Sequence, residues 1–378
     1  MKILFTGGGT GGHFYPIIAV IDALQVLIDE ERLVGIELIF MSDTPYDEGL
    51  LLKKDVRFMQ VKTGKMRRYF SIANIGDIFK TIGGLWDAFF KIYRDFPDVI
   101  FGKGGYASFP AIFAARILGI PVMLHESDAI PGKVNRWAAK FAKRIAISFP
   151  ESVKYFPESK TAFTGNPVRK EILGRTPVEA REVFQLEENL PVILILGGSQ
   201  GAKTINDIIL DVAPELVKFS QIIHQCGKNN IEEVKGRLSV IFENEKTPHK
   251  SRYHIFSYLN DDELRNAQSV AKIVISRAGA SSIFEIASWG IPSIIIPLSN
   301  SAQGHQRENA YTYARTGAAE VIEESNLTAH ILLSEIKQLL DDPKKWDEMK
   351  EATKDFSQPK AARKIARELL NVALEHSS

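Results

Sequence analysis

Short runs rich in Ile, Val, Leu and Phe alternate along the chain with longer amphipathic stretches, a rhythm that predicts parallel strands joined by crossover helices and therefore an α/β fold. Strands are expected near 2–6, 37–42, 56–61, 98–102, 121–125, 144–148 and 161–164 in the first half. In the second half they fall near 192–196, 221–225, 253–256, 272–276, 292–296 and 319–322. Two segments echo each other: ILFTGGGTGGH (3–13) and ILILGGSQGAKT (193–204) both run from an apolar strand through a glycine loop into a helix. The simplest arrangement is two similarly built domains, 1–164 and 165–345, joined where TGNPVRKEILGRTP (164–177) combines Gly, Pro and charge. The remainder, 346–378, reads as one or two charged amphipathic helices that pattern alone assigns to neither domain.

The length of 378 residues suits two domains, each large enough to bury a core. A formal net charge of +1, with 45% hydrophobic and 25% charged residues, supplies no global field that would favour nucleic acid, so an anionic ligand must be held locally. The single cysteine, Cys226, lies in the strand-like stretch IIHQC; it excludes an internal disulfide, fits a reducing compartment and reads as a buried small hydrophobe. The opening MKILFT lacks the basic and apolar regions of a signal peptide, so the chain is expected to stay in the cytoplasm. No run of about 18 consecutive apolar residues occurs, so no helix is expected to span a bilayer, which leaves attachment to a membrane surface open. The acidic pairs Asp261-Asp262 and Asp341-Asp342 fit helix starts or solvated turns, and no Cys/His cluster is present, so no metal site is expected.

GGGTGGH (7–13) follows a strand and precedes a helix containing Pro16, so its backbone N–H groups and the helix N-terminus suit a phosphate or diphosphate; the alternative is a plain tight turn. It lacks the Lys-Ser/Thr pair of a P-loop, and no acidic residue is read at the close of the second strand, as an ordinary dinucleotide site would need. His13 ends the loop where the positive end of the helix dipole disfavours the imidazolium, making it the first candidate for a general base; otherwise it bonds neighbouring backbone. A second glycine cluster, GKGGYAS (102–108), and HESD (125–128) also follow strands. All three loops therefore fall at the carboxyl ends of parallel strands, where open α/β sheets bind ligands. Gly104, Gly105, Tyr106, His125, Glu126 and Asp128 are candidates for holding an acceptor, with Asp128 equally suited to capping a following helix.

In the second half GGSQGA (197–202) can set Ser199 and loop N–H groups against a phosphate, and SRAGASSIFE (276–285) presents a strand, turn and helix start. Ser281 and Ser282 would bond a diphosphate and Glu285 a ribose diol, although Ser282 and Glu285 also have the spacing of a capping box. Gln306, read in a polar loop after SIIIP, can donate to and accept from sugar hydroxyls. Arg169 at the junction either meets a donor phosphate or braces the linker. Between 62 and 94, Ile72, Ile75, Ile78, Phe79, Ile82, Leu85, Trp86 and Phe89 recur at helical spacings beside Lys65, Arg67, Arg68, Lys80 and Lys91. Most of that stripe is expected in the core, yet the aromatic and basic mixture also suits an anionic membrane surface.

Taken together and in this order, GGGTGGH, GKGGYAS, HES, GNPVR, GGSQGA, the SRAGA…E segment and the Gln306 loop resemble the MurG family of UDP-N-acetylglucosamine transferases, nearly end to end. The resemblance implies a GT-B fold, two Rossmann-like domains facing a cleft, with the acceptor in the first, UDP-GlcNAc in the second and the final helix returning to the first. It implies that the acceptor is undecaprenyl-linked lipid I, that the product is lipid II for peptidoglycan, and that the enzyme sits peripherally on the cytoplasmic face of the membrane near other cell-wall synthesis proteins. Carried over by position, it places Thr10, Gly11 and Gly12 at the donor or diphosphate, His13 at the reacting centre, Arg169 and Ser199 at the donor, and the backbone around Leu259 at uracil. Ser281 and Ser282 meet the phosphates, Glu285 the ribose and Gln306 the GlcNAc hydroxyls. Asp128 stands where some members have Asn, and Ser281-Ser282 where others have Leu-Thr.

The implied reaction is a single inverting displacement by the muramyl C4 hydroxyl, with no cofactor, His13 as base and Glu126 as the second choice. Rival readings are a diacylglycerol glycosyltransferase, a UDP-GlcNAc 2-epimerase, and a non-catalytic UDP-sugar-binding protein.

Overall fold

A computed structural model of the chain describes residues 1–61, 73–174, 176–198, 201–244 and 246–377, with the side chains of 73–82, Ala302 and Ser377 left out. The chain divides into two compact units: Met1–Val168 with Gln358–Ser378, and Arg169–Ser357. The boundaries expected at 164/165 and 345/346 thus fall at 168/169 and 357/358, because the helix Pro343–Phe356 packs in the second unit and only the last helix joins the first.

The first unit holds seven strands: β1 (Lys2–Thr6), β2 (Glu37–Ser42), β3 (Val56–Gln60), β4 (Val99–Gly102), β5 (Val122–Glu126), β6 (Arg144–Ile147) and β7 (Thr161–Phe163). They form one parallel sheet in the order β3-β2-β1-β4-β5-β6-β7. The second unit holds β8 (Val192–Leu196), β9 (Gln221–Gln225), β10 (Tyr253–Phe256), β11 (Ala271–Ser276), β12 (Ser293–Ile295) and β13 (Ala319–Val321), ordered β10-β9-β8-β11-β12-β13. The inner strands of each sheet are buried on both faces, which is why they read as nearly continuous apolar runs. In both sheets the order reverses at one point, between β1 and β4 and between β8 and β11. Connections leaving adjacent strands in opposite directions open a crevice at their carboxyl ends.

The first unit's helices are α1 (Gly11–Glu30), α2 (Glu48–Lys53), α3 (Ala73–Asp95), α4 (Phe109–Leu118) and α5 (Lys133–Ala138). The second unit's are α6 (Pro177–Val183), α7 (Lys203–Phe219), α8 (Ile231–Asn244), α9 (Asp261–Val270), α10 (Ala280–Trp289), α11 (His305–Ala314), α12 (Ala329–Asp341) and α13 (Pro343–Phe356). The last, α14 (Ala361–Ser377), belongs to the first unit. By length and composition α1 could cross a membrane, contrary to the expectation that no segment could. In the fold it is a core helix: Phe14, Ile17, Ile18, Ile21, Leu24 and Leu27 are buried with Phe5, Phe40 and α14 residues Ile365, Leu369 and Leu370.

At the rim of that contact Arg363 reaches Glu30 and Arg144 reaches Glu368. These exposed pairs add little, and the buried apolar face holds α14 in place. Leu369→Ala is expected to cost about 3 kcal/mol. The check is hydrogen exchange: β1 and α1 amides should lose protection while β8 amides keep theirs.

Candidate active site

In the first unit the crevice is built by three loops. The loop after β1 leads into α1 with Thr10 at the N-cap position, but Thr10 makes no side-chain capping bond. Its hydroxyl instead lies 3.0 Å from Nδ1 of His13, in the helix's first turn. If Nδ1–H donates to that oxygen, Nε2 presents its lone pair, the form a base needs. The loop after β4 approaches closely: Gly8 N–H donates to Gly104 O at 3.2 Å. A Cβ on Gly105, where φ is +79°, would stand 3.1 Å from Gly8 Cα and 3.6 Å from His13 Nε2, so this position must lack a side chain.

Tyr106 follows, and its hydroxyl donates to Asp43 at 3.1 Å. Asp43 immediately follows β2, so an acidic residue does close the second strand; the reading that none did is corrected. Burial, followed by the Asp43 charge, raises the Tyr106 pKa.

The end of β5 carries His125 and Glu126, and the third loop, which follows it, carries Asp128. His125 is fully buried with Nε2 3.2 Å from Gly165 O; a carbonyl only accepts, so Nε2 carries the proton and Nδ1 accepts. Burial, then the charge of Lys103, holds its pKa well below the ordinary range, and the ring is neutral. Glu126 accepts from Asp128 N–H at 3.0 Å, Gly132 N–H at 3.1 Å and Asn135 Nδ2 at 2.9 Å, so both of its oxygens serve the loop. Burial, and secondarily Asp128, pushes its pKa up to about 7. The N-cap of α5 is Gly132, so Asp128 does not cap the following helix.

In the second unit β8 ends in Gly197 and Gly198, and α7 starts after Ala202. Ser199 lies outside the described residues. A Cβ on Gly201 would collide with Cys226 O and Asn230 Nδ2, which fixes the loop's path against the end of β9. Gln225 ties two parts of this edge together: its amide donates to Gly198 O at 3.2 Å and accepts from Leu259 N–H at 3.0 Å. The Leu259 side chain is buried, so a base can meet only its backbone.

Gly279 is the N-cap of α10, which puts Ser281 and Ser282 in the first turn and Glu285 beyond it; the capping-box alternative for Ser282 and Glu285 is thereby excluded. The capping box stands instead at Asn260 and Glu263, opening α9. Side-chain caps also close α2, α12 and α13, whereas none closes α1, α7 or α10, which follow glycine loops, nor α4, α5, α6 or α11.

Arg169, 4% exposed, gives its guanidinium to Asp261 at 2.5 Å and Glu285 at 3.3 Å. Burial and Asp261 raise the Glu285 pKa while Arg169 opposes them. Gln306 lies in the first turn of α11 rather than in a loop, its Oε1 accepting from Leu298 N–H at 3.1 Å.

Several residues at these edges are not among the candidates read from the sequence, although Lys103, Asn166 and Arg277 fall inside its motifs: Asp43, Lys103, Asn135, Asn166, Gln225, Arg277 and Glu324. Glycine spacing marks the loops but not the side chains that buttress them from neighbouring strands. Among the described residues, no group of three or more His, Cys, Asp or Glu side chains is placed to hold a metal ion.

Two parallel α/β units, each with a glycine loop feeding an uncapped helix at its switch point, are the architecture of the GT-B fold, the fold of nucleotide-sugar glycosyltransferases among other enzymes. Residues 3–147 match the glycosyltransferase family 28 N-terminal domain and 192–366 the family's C-terminal domain. A UDP-N-acetylglucosamine–N-acetylmuramyl-(pentapeptide) pyrophosphoryl-undecaprenol N-acetylglucosamine transferase of Clostridium kluyveri is 37% identical over 339 residues, 89% of this chain and 91% of that protein; one from Bacillus cereus gives the same figures. The chain belongs to glycosyltransferase family 28 and, within it, to the MurG family. The crystal structure of Acinetobacter baumannii MurG superposes with a TM-score of 0.73 at 26% identity, covering 98% of this chain and 99% of that one. A UDP-GlcNAc 2-epimerase from Neisseria meningitidis shares the fold at a TM-score of 0.69 and 16% identity, covering 98% of this chain and all of that one.

Arg277 binds Glu324 at 2.5 Å and Ile296 O at 3.3 Å, while Ser299 N–H donates to Glu324, joining the loops after β11 and β12. Burial alone would raise the Glu324 carboxyl, but Arg277 and the Ser299 N–H outweigh it and hold the pKa at about 2. A folded pKa below the unfolded value means stability that is present above pH 4.5 and lost as pH falls through about 2. Unfolding free energies from urea titrations between pH 6 and pH 2 should fall by up to about 3 kcal/mol in the wild type from this group and stay flatter in Glu324→Gln.

Proposed function

We propose that this chain transfers GlcNAc from UDP-GlcNAc to undecaprenyl-linked lipid I, forming lipid II for peptidoglycan. It is a UDP-GlcNAc-dependent N-acetylglucosaminyltransferase. The observation that carries this reading is the 37% identity to transferases of that activity across both units. The first unit would hold the acceptor and the second the donor.

In the proposed step the muramyl C4 hydroxyl oxygen attacks the anomeric carbon of α-linked GlcNAc, the bond from that carbon to the diphosphate oxygen breaks, and UDP leaves with the electron pair. The product linkage is β. His13 Nε2 takes the hydroxyl proton, with Thr10 fixing the opposite ring nitrogen, a contribution on the order of 10²–10⁴-fold. His13 is preferred to Glu126 because the latter's oxygens already serve the loop donors.

In the second unit the uncapped N-termini of α7 and α10, with Ser199, Ser281 and Ser282, would meet the charge growing on the diphosphate without a metal. Glu285 takes the ribose, held in place by Arg169; the Leu259 backbone takes uracil; Gln306 takes the GlcNAc hydroxyls. Thr10, Gly11 and Gly12 face the diphosphate, and Gly104, Gly105, Tyr106, His125 and Asp128 frame the acceptor.

Attachment to the cytoplasmic face of the membrane is proposed through α3. Trp86, Phe90 and Tyr93 are about three-fifths exposed on one face and Phe96 is about half exposed, while Ala88 and Ile92 point into the core. Trp86 is therefore on the surface and not in the core where its stripe was expected. Lys65, Arg67 and Arg68 lie outside the described residues. Proximity to other cell-wall synthesis proteins belongs to the same proposal.

Two measurements test these readings. In transfer of labelled GlcNAc to a lipid I analogue, His13→Ala should lose at least about a hundredfold in kcat while retaining UDP binding; undiminished transfer would reassign the base. UDP-ManNAc formed from UDP-GlcNAc alone would overturn the transferase reading. On vesicles containing anionic lipid, Trp86→Ser with Phe90→Ser should weaken sedimentation about tenfold or more, and unchanged sedimentation would remove this face from the proposal.

A further inference from the structure

Lys103 is the one lysine buried among the described residues, at 1% exposure, and no carboxylate bonds it directly in the contacts described. It sits between the end of β4 and Gly104, with its backbone N–H donating to Thr6 O at 2.8 Å. Its Nζ lies 2.7 Å from His125 Nδ1 and 2.9 Å from Asn166 Oδ1, and it also contacts Ser127 Oγ. Because His125 Nε2 is committed to Gly165 O, Nδ1 only accepts; the amide oxygen of Asn166 only accepts as well. Two N–H donors are therefore required at this point, and a third meets the serine when the amine is charged. One side chain thus ties the loop after β5 to the turn after β7.

We propose that Lys103 is a positioning residue for the acceptor: by bonding His125, Ser127 and Asn166 together it sets the orientation of the 125–128 loop and so the affinity for the acceptor. This rests on the reading that the 125–128 loop frames the acceptor. The charged and titratable groups around the amine are His125 and Glu126 on β5, Asp128 in the loop after it, and, beyond His125, His13 at the start of α1. Burial lowers the Lys103 pKa to about 7, against the charges of Glu126 and Asp128, which favour the ammonium. The amine therefore loses its charge, and its third donor, as pH rises through about 7.

The test uses the full-length enzyme with UDP-GlcNAc and a lipid I analogue. Lys103→Met preserves the stem and removes the donors; Asp128→Ala probes the loop directly. Lys103→Met is expected to raise the acceptor KM about tenfold while leaving the donor KM within about twofold. The wild-type acceptor KM should climb between pH 6 and 8.5, and the variant should lose that climb. Should Lys103→Met not fold, Ser127→Ala, which removes one of the three bonds, should raise the acceptor KM about threefold with the donor KM unmoved. An acceptor KM raised by Asp128→Ala but unmoved by Lys103→Met, or by Ser127→Ala in its place, overturns the role of Lys103 while the loop reading stands. An acceptor KM unmoved by Asp128→Ala overturns the loop reading, and the proposal with it.

Discussion

Two neighbouring parallel strands whose connections leave in opposite directions cannot close the space at their carboxyl ends, and both sheets of this protein place their glycine loops there. Everything functional in each unit follows from that gap. A helix must begin beside it, its first turn faces the opening, and a side chain at the wrong loop position would fill it. Gly105 shows how narrow the tolerance is: its backbone passes within van der Waals contact of Gly8, so the crevice of the first unit is shaped by absent side chains as much as by present ones. Asp47, Asn260, Thr328 and Asp342 close the starts of α2, α9, α12 and α13, while those of α1, α7 and α10 are left to backbone, as are those of α4, α5, α6 and α11.

The side chains that support these edges work by commitment to more than one partner. Arg169 satisfies Asp261 and Glu285 together, Gln225 fixes a glycine carbonyl and the Leu259 N–H with one amide, and Glu126 gathers two backbone donors from the loop that follows it and a third from Asn135 on α5. A buried charge that loses its partner costs far more than the pair contributes, so such groups specify geometry more than they add stability. Glu285 and Glu126 show the tension directly, because burial raises both carboxyls toward neutrality while their partners oppose it.

Much of the architecture was legible in the chain. Apolar runs located the thirteen strands with edges shifted by a residue or so, since strands buried on both faces leave an unmistakable record. The glycine loops were equally visible. Hidden were long-range partners: nothing in the stretch around Lys103 announces that it reaches His125 and Asn166, or that Gln225 spans two loops, because those contacts are set by strand order and not by spacing. The helical pattern of 280–289 could not reveal that Gly279 caps it, which is why Ser282 and Glu285 kept an alternative that only the helix boundary removed. Asp43 lies one residue past β2, so its place at the strand's edge shows only once the end of the strand is fixed. Trp86 looked like core because its neighbours at helical spacing are apolar, and periodicity does not say how wide the buried face is.

The return of α14 to the first unit bears on how the polypeptide is made. The apolar face of α1 leaves the ribosome well before part of its partner surface, Ile365, Leu369 and Leu370, because the whole second unit is synthesised between them. The second unit is contiguous and can complete its core while the first still waits for its closing helix. During that interval a long, strongly apolar helix has an uncovered flank, which makes the newborn first half the stage at which misassociation or chaperone capture is most favoured.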